Sequence, residues 1–239
     1  MSEGVLFRPI ATIRTDFPDK FGVPRQSGRV EGARGVIVFL PEYRNPEALR
    51  GIEGFSHLWL LFDFSLAHRE EWSPTVRPPR LGGNRRVGVF ASRSPFRPNP
   101  VGLSSVRLLS VEATATEGTV LHVAGADLVD GTPIFDIKPY LPFSDAHPEA
   151  TVGFAEVGLS HRLTVTVGDG VAIPLDGEKL SVLLDCLAED PRPAYRDEKG
   201  RVFSMRFSSL DVHFTVEGDA LTVVGCEEKG GSEGKGQGL

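Results

Sequence analysis

Cysteine, lysine and long apolar runs are scarce in this chain of 239 residues, and each scarcity excludes something. The two cysteines, Cys186 and Cys226, form no paired or clustered metal spacing, so a metal-free protein in a reduced cytoplasmic setting is expected. No apolar run approaches the ~18 residues of a membrane span, so no membrane association is expected. The N-terminal MSEGVLFRPIATIRTDF lacks the basic-then-apolar order of a secretory signal. There is no G-x-G-x-x-G turn, Walker loop, Ser/His/Asp order or zinc pattern, which argues against Rossmann dehydrogenation and metal hydrolysis.

Lysine occurs six times against 20 arginines, and the net charge of −6 argues against a generally basic nucleic-acid coat. The arginines are concentrated instead. From Trp72 to Val111 there is no Asp, Glu or Lys, yet Arg stands at 77, 80, 85, 86, 93, 97 and 107. Prolines at 78, 79, 95, 98 and 100, with Gly82 and Gly83, frame the short apolar run Val87 to Ala91, read as a strand between two stiff loops. Guanidinium forks suit phosphates and stack on bases, so this stretch reads as a site for an anionic ligand.

Along the chain, Val5 to Ile13 reads as a first strand, followed by a long loop holding Pro24-Arg25-Gln26, then a strand from Gly35 to Leu40. Asn45-Pro46-Glu47 opens a short helix. HLWLLFDF, His57 to Phe64, reads as a central strand buried on both faces, with His57 a structural histidine. Ser104 to Val111 and Thr119 to Ala124 alternate as half-buried antiparallel strands. Asp127, Asp130, Asp136 and Asp145 fall in one loop–strand–loop unit with a Gly131-Thr132-Pro133 turn, an acidic counterpart to the arginine loops.

Many short strands and little helix favour a mainly β fold, a single-sheet antiparallel barrel over residues 1–146. Residues 147–160 read as a linker and 161–226 as a small α+β module with a helix capped by Asp176. The Gly-rich 227–239 reads as a disordered tail.

The segments KFGVPRQ, LRGIEGFSHLWLLFDF, VRPPRLGGNRRVGVFASRSPFRPNPVGLS and DLVDGTPIFDIKPYLPF closely resemble the YaeB/TrmO family, built on the TsaA-like domain. The similarity runs from about Leu6 to Asp145, and DPRPAYR with FSMRFSSLDVHF resembles the C-terminal module of bacterial members. The resemblance implies an S-adenosylmethionine-dependent methyltransferase on a non-Rossmann barrel, working as a homodimer. Its implied product is the N6-methyl form of threonylcarbamoyl-adenosine at position 37, in the tRNA anticodon loop.

Carried over by motif, the cofactor site comprises Pro24, Arg25, Gln26, Arg93, Leu103 and the turn Asp130, Gly131, Thr132, Pro133. Members often have Phe-His where this chain has Phe64-Ser65, so contact there falls to the backbone of Ser65 or Leu66. Adenine N6 is a poor nucleophile that an oxygen acceptor hydrogen-bonded to N6–H would help, taking the proton late; Asp130, Asp136 and Asn99 are the candidates, and the sequence does not choose between them. RNA contact falls to Arg77, Arg80, Arg85, Arg86 and Arg97, with Tyr140 or Tyr195 as stacking partners. The rival expectation is a non-catalytic cofactor or nucleotide sensor, or an RNA-binding accessory protein, on the same barrel.

Overall fold

The computed structural model describes residues 4–78, 81, 85–156, 161–192 and 200–229. Arg80 and Tyr195, expected at the RNA surface, lie outside the described residues. The first strands are β1 (Ala11–Thr15), β2 (Arg34–Phe39) and β3 (His57–Asp63). A two-residue ribbon follows, β4 (Thr75–Val76) with β5 (Val87–Gly88), and then β6 (Val101–Thr114), β7 (Gly118–Ala124) and β8 (Thr132–Pro139). Six of these close a barrel in the order β1-β2-β7-β6-β3-β8, and every neighbouring pair is antiparallel. The mainly β fold and the single-sheet barrel expected from the sequence are therefore what the chain adopts.

Closure explains the burial pattern. Leu58, Leu60 and Phe62 of β3 point into the barrel with Ile13, Ile37, Val106, Leu121 and Ile134. The intervening Trp59, Leu61 and Asp63 are half-buried on the outside. The reading of β3 as buried on both faces is thus corrected: only one face lies in the core, and Tyr140 packing at 5.5 Å partly covers Trp59 on the other. At Gly102 a Cβ would stand 2.2 Å from the Phe62 ring, so β6 needs glycine where that ring fills the lumen.

Two further expectations shift. The first strand begins at Ala11 rather than Val5, and Val5, Leu6 and Phe7 are exposed. The run Val87 to Ala91 is not one strand, because β5 stops at Gly88 and Val89–Ala91 turns as a 3-10 helix. The helix at Asn45 is a single 3-10 turn, Pro46–Leu49, with the Asn45 side chain accepting from the Glu47 N–H at 3.0 Å.

Beyond the barrel come a one-turn helix α1 (Pro142–Asp145), strand β9 (Thr164–Val167) and helix α2 (Gly177–Ala188). Asp176 caps α2, accepting from the Lys179 N–H at 2.8 Å. Strands β10 (Phe203–Phe207), β11 (Leu210–Glu217) and β12 (Ala220–Glu228) complete a four-stranded sheet in the order β10-β11-β12-β9, with β9 parallel to β12. The disordered tail expected from Glu227 is corrected at its start, since β12 runs through Glu228 and the Lys229 N–H bonds Ser209 O at 2.9 Å, while residues 230–239 lie outside the described residues.

The core of this second module is not made by residues after 161 alone. Phe17, Val30 and Ala33, from the long loop between β1 and β2, are buried with Leu183, Leu187, Phe207 and Phe214. At Gly22, a Cβ would meet Met205 Sδ at 2.4 Å. Burial pushes the Cys186 thiol, in the same core, up to about 12, so that it acts as a small apolar side chain.

Candidate functional site

In an antiparallel ring, chain direction alternates from strand to strand, so the connections sort themselves by end. The links of residues 16–33, 64–100 and 125–131 all leave one end of the barrel. The links of 40–56 and 115–117, and the exit after Pro139, leave the other. The first end therefore gathers the Pro24–Gln26 loop, Ser65 and Leu66, Arg93 and Asn99, and the Asp130–Pro133 turn. Tyr140 is at the opposite end, where its ring meets Trp59 at 5.5 Å and His57 at 6.2 Å, and it is not brought to the arginines.

The gathered loops touch one another. Arg93 Nη1 donates to Gln26 Oε1 at 2.6 Å, joining the arginine loop to the first loop. The Lys20 ammonium donates to the Leu66 carbonyl, and both Lys20 and Arg69 stand over the Phe96 ring, the Arg69 guanidinium at 3.7 Å. Desolvation, with Arg69 beside it, lowers the Lys20 pKa. Arg97 is committed to the loop itself, bonding Ser92 O at 2.7 Å and Val89 O at 3.2 Å. Arg77, Arg85 and Arg86 are exposed around the β4–β5 ribbon. His68 Nε2 lies 2.6 Å from Asp63 Oδ1, just beyond Ser65.

The acidic side is more dispersed than its spacing implied. Asp130 Oδ1 accepts the Thr15 N–H at 2.9 Å, while the Asp130 and Gly131 N–H groups bond Phe17 O and Ile13 O at 2.8 Å. Gly131 has φ +75°, which a side chain would resist, and Thr132 Oγ1 closes the turn onto Val129 O at 2.6 Å. Asp136 pairs across the sheet with Leu61, which on its other side pairs with Leu103. Cross-strand partners share a face, so Leu103, Leu61 and Asp136 form one outer row, about 10 Å from end to end at ~4.8 Å per strand. Leu103 is 55% exposed, and the Asp136 side chain 46% exposed with Lys138 Nζ at 2.8 Å. Asp145 belongs to the opposite end, bonded to Trp59 Nε1 at 2.8 Å.

Pro24 is buried and Arg25 half-buried, and the Arg25 fork reaches away from the barrel to Asp190 O at 3.0 Å and Arg192 O at 2.9 Å. Four residues on, Arg29 binds Glu189 bidentately at 2.8 and 2.9 Å, and the Glu189 side chain is only 7% exposed. The first loop is thus held on its inner side by the second module and presents Gln26 to the barrel. Sequence reading missed Arg29, Glu189 and Lys20, and took Asp127 only as one acid of the loop–strand–loop unit. Lys20 alone carried a signal, as the one lysine before Lys138 in an arginine-rich chain.

The groups present offer contacts to a ligand with both apolar and carboxylate parts. Leu103 offers exposed apolar surface, Asp130 a carboxylate, the 130–133 turn backbone groups, and Gln26 with Arg93 donors for a carboxylate. Arg93→Ala should weaken such a ligand by about 10- to 100-fold, the scale of one lost charge-assisted hydrogen bond, read by titration calorimetry.

Comparison with known proteins identifies the relatives. The model of the tRNA-methyltransferase O N-terminal domain matches residues 12–146, and that of the TrmO C-terminal domain matches residues 175–229. The tRNA (adenine(37)-N6)-methyltransferase of Escherichia coli (strain K12) is 41% identical over 231 residues, spanning 93% of this chain and 98% of that protein. A putative S-adenosylmethionine-dependent methyltransferase of Pseudomonas aeruginosa, RcsF, is 43% identical over 217 residues, 86% of this chain and 90% of that one. The crystal structure of TrmO from P. aeruginosa superposes with a TM-score of 0.77 at 35% identity, over 95% of this chain and 99% of that one. Barrel, second module and the matches to both domain models agree: the chain belongs to the tRNA-methyltransferase O family.

Proposed function

We propose that this chain is an S-adenosylmethionine-dependent methyltransferase that methylates N6 of threonylcarbamoyl-adenosine 37 in the anticodon loop of tRNA. The observation that carries the reading is likeness over nearly the whole chain, 93% of it, to a protein of that enzymatic name. The gathering of Gln26, Arg93 and the Asp130 turn at one barrel end supports it.

S-adenosylmethionine supplies a methyl group on a cationic sulfur, and the chain's residues bind, orient and take up a proton around that chemistry. Alignment of the two reactants carries much of the rate of such a displacement, which suits a site assembled from three mutually tied loops. Because the sulfur loses its charge, a carboxylate set against it would favour the ground state and slow the step. Asp130, whose Oδ1 is already turned to the Thr15 N–H, is suited to a hydroxyl or amine away from the reacting centre. Asp136 is the acceptor we assign to the N6 proton. It lies on the outer row with Leu103, and its Lys138 partner is exposed and exchangeable. Asn99 is an amide and takes no proton.

The exposed Arg77, Arg85 and Arg86 fit phosphate contacts, while Arg97 shapes the loop that carries them. The same reading takes residues 1–146 as the catalytic unit and 161–226 as its support, in a cytoplasmic homodimer. Exposed Leu66, Trp72 and Phe90 near the loop end are apolar surface for that association. Calorimetry with S-adenosylmethionine and with tRNA separates the readings. An enzyme binds both, a sensor binds the cofactor alone, and an accessory protein binds the tRNA alone. Chromatography with light scattering reads the dimer.

A further inference from the structure

The loop after β7 holds an acid that none of these roles uses. Asp127 stands between Ala126 and Leu128, which are 0% and 1% exposed, and its own carboxyl is carried inward with them. Groups of three separate elements favour its charged form: the Ser104 hydroxyl from β6, the Ser27 N–H from the first loop and, through its charge, the Arg93 guanidinium, whose own hydrogen bond goes to Gln26 Oε1 at 2.6 Å. Among the described residues Arg93 is the one charged group that acts on it, the other two elements presenting a hydroxyl and an N–H. Next to it the first loop is pinned to the barrel, with the Gly28 N–H bonding Gly125 O at 3.0 Å. A Cβ on Gly125, at φ +73°, would press within 3.3 Å of the Gly28 backbone, so the close approach of the two segments favours glycine there. Yet Asp127 Oδ1 is shut from solvent without a hydrogen-bond partner, the only such buried side-chain atom among the described residues. A fold retains an arrangement that costly for something other than stability.

We infer that Asp127 is a positioning residue: its carboxylate holds the Gln26–Gly28 loop and Arg93 in the register that receives the cofactor. The inference rests on the proposed function for the identity of that ligand, but not for the tie between the loops. It acts through Arg93 and the Ser27 N–H, which a charged carboxylate attracts more strongly than a neutral acid does.

Stability and function then pull in opposite directions, and that separates this role from a merely structural one. Burial pushes the acid from its ordinary 3.8 up to about 6, against the pull of Ser104, the nearby N–H groups and Arg93. A raised carboxyl pKa means the fold prefers the protonated form. The penalty is absent below 3.8, grows between there and about 6, and is fully present above. The charged form, present above about 6, is the one that ties the loops.

The test compares the full chain with Asp127→Asn, above and below pH 6. Thermal unfolding, hydrogen–deuterium exchange of residues 24–28 without ligand, and calorimetry with S-adenosylmethionine are the readouts. Above the transition the variant should melt at the same or a higher temperature. Its 24–28 amides should nevertheless exchange faster, and its cofactor affinity should fall about tenfold, the scale of one charge-assisted bond. The wild type should lose loop protection and affinity as pH falls through about 6, and the variant should show no such step. Unchanged exchange at residues 24–28 overturns the inference whatever the cofactor does. A lower melting temperature with the pH step retained assigns Asp127 to structure alone. If the wild type binds no S-adenosylmethionine while the exchange result holds, the proposed function fails and the positioning role stands.

Discussion

Asp136→Asn is expected to lower turnover about 10²- to 10⁴-fold, the range of a lost general base, with cofactor affinity unchanged. Asp136 is on the outside of β8, in the row through Leu61 to exposed Leu103, and not in the turn that holds Asp130. Its Oδ1 accepts the Ile137 N–H at 2.9 Å, which fixes the carboxylate, and its Oδ2 faces the exchangeable Lys138 ammonium at 2.8 Å. Asparagine retains the shape and one acceptor but takes up no proton. Single-turnover kinetics with saturating tRNA, beside calorimetry for the cofactor, read the two effects apart. An unchanged turnover excludes Asp136 as acceptor, and a parallel loss of affinity makes it a binding residue instead.

The second large effect is expected far from the reacting atoms. Glu189→Ala removes the partner of Arg29, which is 25% exposed, and leaves that guanidinium without its bidentate acid. Breaking a wholly buried pair from one side costs about 3–5 kcal/mol, and partial exposure of Arg29 places this variant at or below the lower end. Glu189 also faces Arg162, whose second acid, Asp185, remains at 2.7 Å, so that side of the network survives. The first loop is packed on the second module through Phe17 and Val30 and tied by Arg25 to Asp190 O and Arg192 O. Loosening Glu189 therefore frees the loop that presents Gln26. Denaturant unfolding should show the loss of stability, and calorimetry a weaker cofactor at temperatures where the chain is still folded. Glu189→Gln, which retains the shape and one oxygen, should fall between. Full cofactor affinity in a clearly destabilised Glu189→Ala would show that the module does not set the loop.

What the sequence reveals of this fold follows the range of its physics. Strands that alternate against one core, such as the first half of β6 and β11, show their period directly, and Asp176 and Asn45 announce their turns through local capping. The loop of residues 16–33 shows no period because its apolar side chains answer to partners more than 150 positions away, as Phe17 does to Phe207 at 5.7 Å. Arg25 was legible as part of a site loop, but not that its fork turns away from the barrel to carbonyls of the second module. Tyr140 was grouped with the arginines by composition, whereas strand direction sends it to the other end. Asp127 and Asp130 look alike in ADLVDG; only closure of the barrel buries the first and leaves the second exposed. The resemblance by motif reached residues whose convergence depends on strand order, which no local pattern encodes.

The most direct test of the account is methyl transfer from labelled S-adenosylmethionine to tRNA isolated with and without the threonylcarbamoyl group, followed by nucleoside mass spectrometry. The account predicts label on N6 of adenosine 37, confined to the modified tRNA. Clear cofactor binding with no transfer to either tRNA would contradict it.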